Sequence, residues 1–182
     1  SVNPISLLGV VANDVEAEKN IVGFRKNLKE FVDTATAAEV NVDILTTIDH
    51  NPADGIVRMA RATMTDIVIL GWPGRVGLID KILGEKVDLI IRKMDKNLWM
   101  CHVEDELIDH KRIVVISPPL AEKEDGFALW VEKVAKLSSE LTVPILHLGH
   151  PNTQEIIAGH KYAGNFEFEP FDNWDNPLQC AK

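Results

Sequence analysis

Cysteine is nearly absent from this sequence, with two residues, Cys101 and Cys180, far apart and outside any C-x-x-C pair. That excludes a disulfide framework and a thiolate zinc site, and leaves two free thiols, as expected in a reducing cytosol. No run of 18 apolar residues occurs, and the opening SVNPISLLGVV has neither a basic leader region nor a cleavage site. Nothing in these residues is expected to span or cross a membrane. Basic residues are also in deficit, 19 against 28 acidic ones, for a net charge of −9. Nucleic acid is excluded as a partner on that balance, because polyanion binding rests on neutralising phosphates with Lys and Arg.

What the sequence has is a hydrophobic content of 46% over 182 residues, enough for a real core. Ile5 to Ala12 is a short apolar run, the mark of a strand covered on both faces. From Val15 to Ala38, the residues Ile21, Phe24, Leu28, Phe31, Ala35 and Ala38 recur at spacings of three and four and predict a helix with one apolar stripe. The alternation in VNVDILTTID predicts a strand, and Asn51-Pro52 predicts the cap of a helix running to about Thr65. Asp66 to Leu70 is another buried strand, followed by a turn over 71–77, a helix from about Leu78 to Met94, and a strand from Leu98 to Val103. The polar, aperiodic EDELIDHK then separates residues 1–104 from residues 112–182, with 105–111 as the linker.

The pattern restarts beyond it. RIVVISPP predicts a strand, Phe127 to Leu141 a helix with Trp130, Val131, Val134 and Leu137 inward, VPILHLG a strand, Thr153 to about Ala158 a short helix, and NFEFEPFD a last strand. Strands alternating with helices imply an α/β fold with a doubly wound, mostly parallel sheet. The two halves echo each other as a degenerate repeat, ISLLGVV against PILHLGH.

The stretch DIVILGWPGRVGLIDKILGEK carries the chemistry. Gly71, Gly74 and Gly84 fall as G-x2-G-x9-G directly after a buried strand, where ligands of open α/β sheets sit. Glycines there let backbone N–H groups approach phosphate oxygens, and a helix start adds its positive end. Neither G-x-x-x-x-G-K-[ST] nor G-x-G-x-x-G is present. The candidate nucleotide-binding residues are Gly71, Gly74, Arg75, Gly84, Glu85 and Lys86.

This spacing resembles the nucleotide loop of the universal stress protein family, G-x2-G-x9-G-[S/T], and the resemblance extends over Ile5 to Val103. It implies a parallel five-stranded sheet of order 3-2-1-4-5 in which many members bind ATP. The chain departs from the pattern at Glu85, which stands where the family has a Ser or Thr hydroxyl that donates a hydrogen bond to the phosphate. A carboxylate about 4 Å from a phosphate costs roughly 1 to 4 kcal/mol and donates nothing. The family's strand-ending Asp is absent too, since no such strand precedes Ile5 and the corresponding strand of the second half ends in Ser117 and Pro118. Trp72 and Pro73 fill the loop with bulk. ATP or AMP is therefore expected to bind weakly or not at all, and Glu85→Ser to strengthen binding.

GIVRMARATMTDIVILGW, RIVVISPPLAEKEDGFALWVEKVAKLSSELTVPILHLG and FEFEPFDNWDNP, in that order, resemble the tandem stress-protein-like cytoplasmic region of bacterial cation:proton (Na+/H+) antiporters. That likeness implies a regulatory domain without enzymatic activity, attached to a membrane transport domain of the same polypeptide at the cytoplasmic face of the inner membrane. The alternative is a soluble ATP- or AMP-binding stress protein. On the family order, a first strand is missing between Ile5–Ala12 and Asp66–Leu70, so those strands are expected to pair directly or to receive Arg112–Ser117 between them. The apolar LWMCHV at the sheet edge predicts a homodimer through Leu98, Trp99 and Met100. The histidines His147, His150 and His160 read as surface or loop residues without a metal, and the carboxylates Asp105, Glu106, Glu167 and Glu169 as solvated acids with no catalytic role.

Overall fold

The computed structural model describes residues 4–71 and 79–171, with side chains in the first part of the third helix outside that description. The chain divides into two compact units, Ser1–His102 and Val103–Lys182.

The first unit runs β1 (Ile5–Ala12), α1 (Ala17–Ala37), β2 (Val42–Asp49), α2 (Pro52–Ala62), β3 (Ile67–Gly71), α3 (Ile79–Lys93) and β4 (Asn97–Cys101). β1 pairs with β2 and β3 with β4, both parallel, from Ile5 opposite Val42 and from Ile67 opposite Asn97. α2 starts where the sequence places it. Asn51 accepts a hydrogen bond from the Ala53 N–H at 3.0 Å, and Pro52 takes the first turn, where its missing N–H costs nothing. The helix stops at Ala62, three residues short of the predicted end, because the chain turns through Met64 at φ 51°, a left-handed conformation no helix continues. β4 likewise ends at Cys101, two residues before the predicted Val103.

The apolar stripe of α1 is not buried as its spacing predicts. Ala17 is its sole buried residue, and Phe31 is 64% exposed and Phe24 44%. α1 lies against a two-stranded sheet whose strands stand about 4.8 Å apart, narrower than the helix diameter of about 10 Å, so the sheet does not cover the whole stripe.

The expected repair of the first sheet is also not made. β1 and β3 are not hydrogen-bonded to each other, and β5 of the second unit is bonded to β6 instead. The four strands form two separate two-stranded sheets.

The second unit runs β5 (Ile113–Ile116), α4 (Phe127–Leu141), β6 (Ile145–Gly149), α5 (Pro151–Ala158) and β7 (Phe166–Pro170), with one-turn 3-10 segments at Leu107–Asp109, Ala121–Lys123 and Ala163–Asn165. Its sheet is parallel, in the order β5-β6-β7. All five residues of β6 are buried, as expected of a central parallel strand. One face carries the core formed by Phe127, Val131, Ala135, Ile145, Ile157 and Phe166; the other buries Leu146, Leu148 and Phe171. Each such aliphatic side chain contributes about 1.5 to 3 kcal/mol on burial. Leu137 departs from its predicted inward place and is 37% exposed. α4 ends because Thr142 takes a left-handed φ of 57°, where its N–H reaches back to Ser138, and Pro144 follows two residues on.

Candidate functional site

At the carboxyl ends of the first unit's strands, Ala12 of β1 pairs with Asp49 of β2, and Gly71 of β3 with Cys101 of β4. Asp49 is fully engaged there. Its carboxylate accepts from the Asn51 N–H at 3.4 Å and from Arg58 Nε and Nη2, both at 3.2 Å, and these bonds hold its pKa below the ordinary carboxylate value. Arg58 in turn is fixed by Thr47 Oγ1 at 2.9 Å and the Ile48 carbonyl, so it is directed at β2.

Of the predicted loop residues, Gly71 closes β3. A Cβ added there would meet nothing within 4 Å among the described residues, and the backbone is not left-handed, so neither crowding nor conformation demands glycine at this position. Gly74 and Arg75, like Trp72 and Pro73, lie outside the described residues. Gly84, Glu85 and Lys86 belong to α3, as its sixth to eighth residues. Only the first four N–H groups of an α-helix lack a partner, here those of Ile79, Asp80, Lys81 and Ile82. The amides of Gly84, Glu85 and Lys86 therefore bond within the helix, and the Glu85 and Lys86 side chains are exposed on its surface.

α3 is anchored to α2 by charge. Lys93 Nζ contacts the Asp54 carboxylate at 2.6 Å, and Arg61 donates to the Lys93 carbonyl at 2.9 Å and to Asp95 at 3.2 Å. These pairs are half-exposed and contribute little to stability, but they fix the two helices side by side.

The profile of the universal stress protein family matches residues 7–102, a little over half of the chain. The chain belongs to that family. The matched residues coincide with the first unit almost end to end, and the parallel strands with intervening helices are the α/β arrangement expected of a stress-protein domain. No curated protein matches the chain. No helix among the described residues is long and apolar enough to cross a membrane.

In the second unit the corresponding strand ends hold a feature that the sequence reading missed. His147 lies in the middle of β6 and is 0% exposed, so it is neither a surface nor a loop histidine. Its Nε2 is 2.9 Å from Ser117 Oγ at the end of β5, its ring stacks on Trp130 at 6.4 Å between centroids, and Phe168 meets it edge-on. Nδ1 is buried without a hydrogen-bond partner among the described residues. Burial alone pushes its pKa down to about 4. The signal was the pattern itself, since His147 follows Ile145 at the period of two that marks one sheet face. Gly149 closes the pocket: a Cβ there would lie 2.7 Å from His147 Cε1 and 2.9 Å from Ser117 Oγ.

The other two histidines of the cluster do different work. His150 Nδ1 accepts from the Asn152 N–H at 3.2 Å and caps α5, while the His160 ring packs on Tyr162. Among the described residues no three His, Cys, Asp or Glu side chains are grouped to hold a metal ion. His110 Nδ1 lies 3.1 Å from the Glu106 carbonyl in the linker. Glu122 accepts from Thr153 Oγ1 at 2.7 Å, which lowers its pKa and ties the segment after β5 to α5. Glu167 and Glu169 are exposed on β7.

Proposed function

We propose that this chain is a non-enzymatic regulatory domain of a cation:proton antiporter, carried by a membrane transport domain of the same polypeptide, with a nucleotide loop that no longer holds its ligand. The observation that carries the loss of nucleotide binding is the position of Gly84, Glu85 and Lys86 inside α3, where their amides bond within the helix. The Ser117 hydroxyl, at the place where the family carries its strand-end acid, faces His147 in a buried pair and is closed to a ligand. The antiporter context rests on the three sequence stretches that resemble the tandem cytoplasmic region of those transporters. The upstream reading frame tests it: a frame without membrane-spanning segments overturns it.

A second reading, a soluble ATP- or AMP-binding stress protein, is favoured by the family membership and by the open space at Gly71. Titration with ATP and AMP, with and without Mg²⁺, separates the two. The regulatory reading expects a Kd weaker than about 100 μM, with Glu85→Ser tightening it by no more than about tenfold, because that change removes a charge and frees no amide. Micromolar binding by the wild type establishes the second reading instead.

A further inference from the structure

Between α2 and α3, Asp54, Val57, Arg58, Arg61, Arg92 and Lys93 line a cleft of about 540 Å³. Four of these side chains are cationic and one is acidic, in a chain that carries 28 acidic against 19 basic residues. Val57, which is buried, adds an apolar wall. A cleft lined mostly by one sign of charge focuses the field and draws ions of the other sign.

The acids around the cleft position its cations without using all their donors. Arg58 spends Nε and Nη2 on Asp49, Thr47 and the Ile48 carbonyl, and Arg61 spends Nε and Nη2 on Asp95 and the Lys93 carbonyl. Lys93 Nζ meets Asp54. A guanidinium has five N–H donors and an ammonium three, so Nη1 of both arginines and part of the Lys93 ammonium have no partner among the described residues. Arg92 is exposed and forms no ion pair among the described residues. Even with Asp49 and Asp95 counted, three acids stand against four cations.

The spare donors select the ligand. A carboxylate offers two oxygens and is satisfied by a single guanidinium fork, whereas a phosphate monoester offers three terminal oxygens and close to two charges near neutral pH. Donors supplied from two helices match the second. The volume lies in the range of small-molecule clefts and leaves room for more than a bare ion. We propose that this cleft binds the phosphate group of a small soluble phosphate monoester, with Arg92 as the principal contact and Arg58, Arg61 and Lys93 adding their unused donors. The inference is independent of the regulatory reading, and none of the lining residues is among those singled out at the glycine loop.

The test is NMR of the backbone amides of the full chain at low salt, titrated with glucose 6-phosphate and, as the neutral control, with glucose. Saturable shifts are expected at Arg58, Arg61, Arg92 and Lys93 with a Kd below about 1 mM, and none with glucose. Arg92→Gln is expected to weaken binding by about fivefold or more with an unchanged unfolding midpoint, because glutamine is a good helix former and no ion pair is lost. Shifts that do not saturate, equal affinity in the variant, or shifts confined to Gly71 and its neighbours overturn the proposal. Sedimentation with vesicles of phosphatidylcholine and phosphatidic acid, without any shift from free glucose 6-phosphate, also overturns it and makes a lipid headgroup the ligand.

Discussion

His147 is an imidazole buried in the core, where burial disfavours its charged form, and this sets a direction for pH. Its folded pKa, about 4, lies below the unfolded value of 6.5, so the unfolded chain binds the extra proton first as pH falls. Stability from this group is complete above pH 6.5 and is lost progressively down to about pH 4, beyond which no further loss comes from it. With allowance for solvent screening the loss is roughly 2 kcal/mol. Urea midpoints of the second unit at pH 7 and pH 4.5 measure it. His147→Leu is expected to be less stable at pH 7, because Ser117 loses its partner, and to have a flatter dependence between the two pH values. An unchanged slope in that variant would place the titration elsewhere.

Packing between elements depends on places where a side chain would intrude. Gly55 lets α2 settle on β1, and a methyl there would sit 2.5 Å from Val10 Cγ1 and 3.1 Å from Asp49 Cβ. Gly55→Ala is a better helix former locally, by about 1 kcal/mol, yet the forced shift of α2 costs about 1 to 3 kcal/mol. Thermal unfolding of that variant should show a net destabilisation of the first unit; a raised midpoint would mean α2 does not rest on β1 as described. Elements of this kind were legible where one local signal dominated. β1 and α4 have the predicted bounds, and Asn51-Pro52 marks the start of α2. Misjudged were the things that depend on what lies opposite. Periodicity identifies the stripe of α1 but not the width of the sheet beneath it. His147 looks polar in a list and is core in space. At the loop, both the glycine spacing and the helix that contains Gly84 to Lys86 were legible, and the two signals conflict, because an amide in a helix interior is not free for a phosphate.

For the whole molecule, the open side of β4 is where we expect self-association. β4 bonds only to β3 among the described residues, and Met100, its fourth residue, is 49% exposed, with Leu98 and Trp99 half-buried before it. An apolar edge of this kind pairs with another chain unless covered. We expect a two-fold dimer with β4 antiparallel to its copy and Met100 near the axis. Light scattering should give a dimer for the wild type and a monomer for Met100→Lys; a wild-type monomer, or an undisturbed dimer in the variant, removes this interface.

The order β5-β6-β7 in the second unit has a further consequence, in time rather than in space. Each strand finds its partner in the next one made, with a single helix between them. Each closure spans one crossover helix, from Ile113 to Ile145 and from Ile145 to Phe166, and its entropic cost grows only slowly with length. On a ribosome, this unit can assemble its sheet strand by strand as the polypeptide emerges, each newly exposed apolar edge being covered by the next strand to appear.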